Sequence, residues 1–455
     1  MKRIRLQFYI LLLVFGSLFS STAFAAEQAA ELTADCVFTP SQNTGDAWAL
    51  QDGNRTTRYR SSGKTSVAIT SGQPFSYLYI VWETPPKPWK MTTAQGDVTY
   101  GAHGFIHEAV ELPAPQAEVT LTLESDQNTI CDIYVFAAGE LPPWVQRWQT
   151  PYDDADMLLL PTHADDEHLF FGGTMPYYAG ERGLKVQVAY LTNHWAEPYR
   201  PHELLDGLWQ VGVSAYPVLS DFVDVYASSL EQAKGLYPEE AVTAFQVEQL
   251  RRFKPEVVVG HDVNGEYGHG VHIYNTYTLQ KAIEISNDPA QYPQSAEQYG
   301  IWDVPKTYLH LFNENAVLMD WNIPLERFGG KTAIDIAKEG FAKHVSQQKY
   351  FQVEDYGPYD CRKFGLYRST VGPDVVGGDF CENIDFSPPA PQQPAEEPPK
   401  VSEHQPAPQP EEQHPTAEQG NGRAVLAAII ACAVVAALMA AAVIFTLKKG
   451  KKAKH

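Results

Sequence analysis

Twice in this chain an apolar run of strand type empties into a short stretch crowded with ionisable residues. Leu158-Leu159-Leu160 leads into Thr162-His163-Ala164-Asp165-Asp166-Glu167-His168, and Gly172-Gly173 then let the backbone turn tightly. About a hundred residues on, Glu256-Val257-Val258-Val259-Gly260 leads into His261-Asp262-Val263-Asn264-Gly265-Glu266-Tyr267-Gly268-His269-Gly270-Val271-His272. Between them the pattern predicts a strand over 185–192 and helices over 199–211 and 238–253. The second helix opens on acidic residues, closes on basic ones, and carries Val242, Phe245, Val247 and Leu250 as an apolar stripe. Such alternation predicts a mostly parallel sheet with helices on both faces. Ligands of these sheets bind beyond the carboxyl ends of the strands, so both loaded loops are expected in one crevice.

What precedes has a different texture. Over 26–140, short alternating runs such as Ser66–Ile69, Tyr77–Trp82 and Val119–Leu123 are separated by Gly, Pro, Asn and Asp, the pattern of an antiparallel β-sandwich. Leu141-Pro142-Pro143-Trp144 marks the join to an α/β domain over 141–387.

The ends carry addressing signals. Residues 1–25 read as a signal peptide: Lys2, Arg3 and Arg5, an apolar run, then Ala23-Phe24-Ala25. Residues 388–423 are rich in Pro, Glu, Gln and Ala and lack the apolar residues for a core, so a disordered stalk is expected. Residues 424–447 are uninterrupted apolar chain long enough for one transmembrane helix, and the lysine-rich 448–455 is expected to stay cytoplasmic. The expectation is a secreted ectodomain anchored in the cell membrane by a single carboxyl-terminal span. Four cysteines lie outside that span, an even number that suggests two disulfides, with proximity favouring Cys36–Cys131 and Cys361–Cys381. A formal charge of -21 with no basic face excludes nucleic acid as a partner.

Two resemblances follow from these residues. Thr162-His163-Ala164-Asp165-Asp166-Glu167 resembles the A-H-P-D-D-E signature of the PIG-L / LmbE-like deacetylases, and Gly268-His269-Gly270-Val271-His272 resembles their G-H-P-D-H. Arg200-Pro201-His202-Glu203 and His344-Val345-Ser346-Gln347 match in order as well. Ala164 stands for the family's Pro, and Gly270-Val271 for Pro-Asp. This similarity implies a Rossmann-like fold and metal-dependent, in the main zinc-dependent, hydrolysis of an N-acetyl amino sugar, with an envelope or extracellular glycan as substrate; other divalent transition ions suit a nitrogen and oxygen ligand set. It implies His163, Asp166 and His272 as metal ligands, Asp165 as general base, and protonated His269 as oxyanion stabiliser. Glu167 is expected to orient a ligand imidazole. Arg200 is a candidate for gripping substrate, with a salt bridge to Glu203 as the alternative. His168 is read as supporting or solvent-facing, and His261, Asp262, Asn264, His344 and Gln347 as satisfied polar residues. Secondly, Leu50-Gln51-Asp52-Gly53-Asn54-Arg55-Thr56-Thr57-Arg58-Tyr59 resembles a turn of discoidin-like, galactose-binding modules, which implies a glycan-facing accessory domain and a Ca2+ held by Asp52 and Asn54; a plain polar turn is the alternative. A second functional class fits the same layout: a non-catalytic glycan-binding or adhesive surface protein on a degenerate deacetylase scaffold. Oligomeric state is not legible.

Overall fold

The computed structural model describes residues 27–61 and 63–386. The expected signal peptide, stalk, span and tail lie outside them. Among the described residues no helix is long and apolar enough to cross a membrane.

Strands β1 (Cys36–Pro40), β2 (Tyr59–Arg60), β3 (Thr65–Trp82), β4 (Trp89–Thr93), β5 (Gly96–Tyr100), β6 (His107–Leu123) and β7 (Thr129–Phe136) form the first sheet. It runs β2-β7-β3-β6-β4-β5, with β1 paired to the first half of β3 and β7 to the second, and every pairing is antiparallel. Where short separate strands were expected, β3 and β6 run long and lose register between Thr70 and Tyr77. Gly72-Gln73-Pro74 on β3 and Pro113 and Pro115 on β6 interrupt the ladder there. The two halves of β3 thereby bury Val67 and Ile69 with Leu78, Ile80 and Trp82 in one core.

The second sheet comprises β8 (Met157–Leu159), β9 (Val186–Tyr190), β10 (Val218–Leu219), β11 (Val257–Gly260), β12 (Lys306–His310), β13 (Ala316–Leu318) and β14 (Lys363–Ser369) in the order β10-β9-β8-β11-β12-β14-β13. The pairings from β10 to β12 are parallel, and β14 and β13 close one edge antiparallel. Alternate residues of β8 face opposite ways. Met157 and Leu159 join a core with Leu204, Leu208, Ile336 and Phe341, whereas Leu158 packs with Val247, Leu250, Leu279 and Ala282. Helices Arg200–Gln210 and Ala333–Phe341 thus cover one face, and Glu239–Phe253 and Gly270–Ile285 the other. The predicted elements of this sheet agree with those observed to within a residue or two. Helix Glu239–Phe253 ends in Lys254 at φ 46, and the buried Arg251 guanidinium donates to the carbonyls of Ser286, Asp288 and Tyr292. A residue placed by its pattern as a charge at a helix end therefore also ties down the loop that follows helix Gly270–Ile285.

The two sheets share one buried core, and the described residues fall within one compact unit. Across the contact, Arg55 Nη1 meets Asp206 Oδ2 at 2.7 Å, Gln146 Nε2 donates to Asp206 Oδ1 at 2.6 Å, and His107 Nε2 lies 2.8 Å from His202 Nδ1. The discoidin-like turn therefore docks, through Arg55, on the neighbouring α/β body. Its acidic and amide oxygens serve the turn itself: Asp52 accepts from the Asn54 N–H and the Thr57 hydroxyl, and Asn54 Oδ1 from Thr56.

The expected disulfides do not form. Cys36, Cys131, Cys361 and Cys381 are all buried free thiols. Cys36 pairs across from Ser71, whereas Cys131 lies between Ile130 and Asp132, which face Trp82 and Val81 at the far end of β3, too distant to bridge. Cys361 Sγ instead packs where a side chain on Gly172 would stand, and the Cys381 N–H donates to Asp379. Burial pushes the Cys131, Cys361 and Cys381 thiols up to about 12, so they behave as inert apolar groups.

Candidate metal centre

Strand order reverses at β8 and β11: the chain leaves β8 toward β9 and β10 on one side, and β11 toward β12 on the other. Between two such neighbours the outgoing loops diverge and leave a crevice. Both loaded loops open into it.

His163 follows β8, Asp166 opens the short helix Asp166–Leu169, and His272 stands in the first turn of Gly270–Ile285. Their facing atoms form a small triangle. His163 Nδ1 lies 3.1 Å from Asp166 Oδ2 and 3.0 Å from His272 Nε2, and His272 Nε2 lies 3.3 Å from Asp166 Oδ2. Donors about 2.0–2.1 Å from a tetrahedral ion sit roughly 3.3 Å from one another, so the three atoms fit one divalent cation with a position left for water or substrate. Two overlapping trios also come within range, His163/His269/His272 and Asp166/His261/His272. Hydrogen bonding argues against both. The Val271 N–H donates to His269 Nδ1 at 3.3 Å, the Thr162 N–H to His261 Nε2 at 2.9 Å, and His261 Nδ1 is 2.9 Å from Glu266 Oε2. His261 is the satisfied polar residue expected of it, with both nitrogens committed.

The outer nitrogens of His163 and His272 meet carboxylates. His272 Nδ1 lies 2.8 Å from Glu266 Oε2 and His163 Nε2 3.2 Å from Asp224 Oδ1. Each carboxylate fixes an imidazole's orientation and turns the other nitrogen's lone pair inward. Glu266 also takes His310 Nδ1 at 2.6 Å, so one buried carboxylate gathers three rings. Burial alone would raise it; the adjoining His261 and the three imidazole hydrogen bonds hold it well below the usual carboxylate range. The orienting role expected of Glu167 thus belongs to Glu266 and Asp224. Glu167 instead accepts the Asp165 N–H at 2.9 Å and lies, fully buried, 3.4 Å from His168 and 3.5 Å from His344. His168 is buried too, which removes its solvent-facing reading. Neither Asp224 nor Glu266 announces itself in sequence: Asp224 stands alone between Val223 and Val225, and Glu266 is one polar residue among many in its loop.

Asp165 adopts φ 127, ψ -26, a conformation L-residues rarely take. Its N–H is held by Glu167, and Arg200 donates to the preceding carbonyl of Ala164 while lying 3.8 Å from Asp165 Oδ1. Strain retained in this way aims the side chain where a relaxed loop would not. Burial, then the charge of Asp166, pushes the Asp165 carboxyl well above the ordinary range. Asp166 goes the other way: its burial is outweighed by His272 and His163. Two adjacent carboxyls are thus driven apart, one toward holding a proton and one toward permanent charge. For His163, burial is again outweighed by Asp166, which raises it to about 9.

Arg200 is almost fully buried and clamps the loop, and the alternative partner Glu203 accepts from Ser346 instead. His269 departs from expectation in charge. Burial, then the neighbouring His163 and His272, lowers it to about 3, so it is neutral, with Nδ1 accepting from Val271 and the proton on Nε2. His163, Asp165, Asp166, Arg200, His269 and His272 line one cleft, which His194, Tyr226, Tyr267 and Phe351 also border.

No family model matches the chain. Among curated proteins, a 1D-myo-inositol 2-acetamido-2-deoxy-alpha-D-glucopyranoside deacetylase of Mycobacterium leprae is 31% identical over 188 residues, 34% of this chain and 59% of its own length. Its counterpart from Catenulispora acidiphila is 29% identical over 198 residues, 38% and 58% of the two chains. The chain therefore spans less than two thirds of these relatives. Of solved structures, the N,N'-diacetylchitobiose deacetylase from Pyrococcus horikoshii aligns with TM-score 0.33 at 18% identity, over 44% of this chain and 74% of its own. The chain has an α/β body with a cluster of His163, Asp166 and His272 at the switch point of its sheet. Its resemblance to the PIG-L / LmbE-like deacetylases holds, since the curated relatives it matches are deacetylases of that kind.

Proposed function

We propose that this chain is a metal-dependent N-deacetylase that hydrolyses the acetamide of an amino-sugar glycan or conjugate, with zinc as the best-fitting ion. The observation that carries the reading is the triangle of His163 Nδ1, Asp166 Oδ2 and His272 Nε2, with edges of 3.0–3.3 Å, beside Asp165 and His269 in one cleft. A divalent ion there supplies Lewis acidity and a water made acidic enough to attack at neutral pH. Asp165 takes the proton of the attacking water, and its raised affinity for that proton suits it to deliver it to the departing amine. The His269 Nε2–H donates to the acetamide oxygen as negative charge develops there. Arg200 and Glu167 hold the Asp165 backbone in its strained conformation so that the carboxylate faces the reacting carbon. Acetate and a free amine leave. The relatives named above act, by their names, on an N-acetylated glucosamine conjugate, which supports the substrate class.

The setting belongs to the same proposal: export through the signal peptide, anchoring through 424–447, and a glycan outside the membrane as substrate. Asp165→Asn tests the chemistry. It should keep stoichiometric metal and lose acetate release by about 10²–10⁴-fold, the range of a general acid-base group. Loss of metal with full turnover restored by added zinc would reverse the roles given to the two aspartates.

A further inference from the structure

A second depression opens from the metal cleft across Tyr267 and Phe351, whose side chains line both. Aromatic rings follow one another outward. Phe170, against the ligand His272, lies 5.8 Å from Tyr267, Tyr267 is 5.5 Å from Phe351, and Phe351 is 6.3 Å from Tyr350. Past the buried Phe170 the rings are open to solvent. Tyr267 is 47% exposed, Tyr350 64% and Phe351 36%, and Gln348 and Gln352, with the charged Lys349 and Glu354, line the depression beside the rings. Tyr267 is held at φ 57, backbone that favours glycine, and its ring packs against Tyr359 at 4.1 Å, tilted by 51°. A bulky residue kept in such a conformation at the rim of a cleft, against its own preference, marks a side chain placed for contact.

Exposed aromatic faces mixed with amides, continuous with a reaction centre, suit a ligand with apolar faces and many hydroxyl and amide edges. Pyranose chains have that chemistry. The net charge of -21 disfavours a polyanionic chain. We infer that the trough from Tyr267 to Tyr350 holds the further sugar units of a neutral, N-acetylated oligosaccharide whose terminal unit occupies the metal cleft, which makes a glycan chain, and not a small glucosamine conjugate, the preferred substrate. The inference rests on the deacetylase reading for the reacting unit only.

The test uses the full chain loaded with zinc, N-acetylglucosamine and its β-1,4-linked oligomers of two to six units. Acetate release is measured for turnover, and calorimetry on Asp165→Asn for binding. The kcat/KM should rise with chain length through KM, and Tyr350→Ala should cut the hexamer-to-monomer ratio of kcat/KM about threefold to tenfold, the scale of one aromatic contact. The same substitution should weaken hexamer binding to the Asp165→Asn protein by a similar factor. A ratio independent of length, or one that Tyr350→Ala leaves unchanged, overturns the trough while leaving the deacetylase intact. Hexamer binding to Asp165→Asn that Tyr350→Ala weakens, with no acetate from any sugar, supports the trough and overturns the deacetylase.

Discussion

At the scale of single residues, the proposed centre depends on carboxylates outside its three ligand atoms. Glu266 gathers His261, His272 and His310, and Asp224 holds His163. Asp224→Asn leaves all three proposed ligands in place, yet it should weaken zinc about 10–100-fold in competition with a chelator, the cost of losing a ligand's orienting partner. Unchanged affinity would mean that His163 is positioned by packing alone. The protonation pattern gives a second expectation. His163 is raised to about 9, above its unfolded value near 6.5, so its pairing with Asp166 stabilises the metal-free fold fully below about pH 6.5 and is lost as pH rises through about 9. Chelated protein should accordingly melt at a lower temperature at pH 9 than at pH 6.5. Zinc-loaded protein should hold its midpoint over that window, because ligands must shed protons to bind metal. A chelated protein whose Tm is flat across the window would contradict the pairing.

Among elements, the second sheet was legible and the first only partly so. Strand runs such as Val257-Val258-Val259 and a helix with acidic start and basic end agree with their surroundings, so local pattern and final structure coincide. His163, Asp165, Asp166, His269 and His272 were legible because each stands within about a dozen residues of the end of such a strand, in its loop or at the start of the helix that follows. Asp224 was not, since it follows β10, which comes beside His163 only once β10, β9 and β8 pair, and Glu266 was not, since His310 reaches it only when β12 pairs with β11. Nor does sequence spacing reveal that Cys36 on β1 and Cys131 on β7 lie against opposite ends of β3, which is why an even cysteine count misled for that pair. The loop after β8 offers a test of element packing. A Cβ on Gly173 would stand 2.7 Å from the Trp321 ring and 2.8 Å from Ala333 Cβ. Gly173→Ala should therefore cost about 1–3 kcal/mol in denaturant unfolding, the range for overpacking. Wild-type stability in that variant would show that the turn yields freely.

For the whole molecule, the first sheet and the α/β body meet through the Arg55–Asp206 pair and the His107–His202 pair, and they share core residues. They should unfold in one transition. Arg55→Ala should lower stability by up to about 1 kcal/mol, since the pair is partly exposed, without separating that transition into two; two resolved transitions in the unsubstituted chain would show that the halves fold independently. The central claim is narrower than the whole: one ion held by three named atoms at the switch point of the sheet. Anomalous diffraction at the zinc edge from zinc-loaded protein tests it most directly. A single peak about 2.0–2.2 Å from His163 Nδ1, Asp166 Oδ2 and His272 Nε2 is predicted. No peak in the cleft, or one bound by His269 or His261 in place of Asp166 or His163, would contradict it.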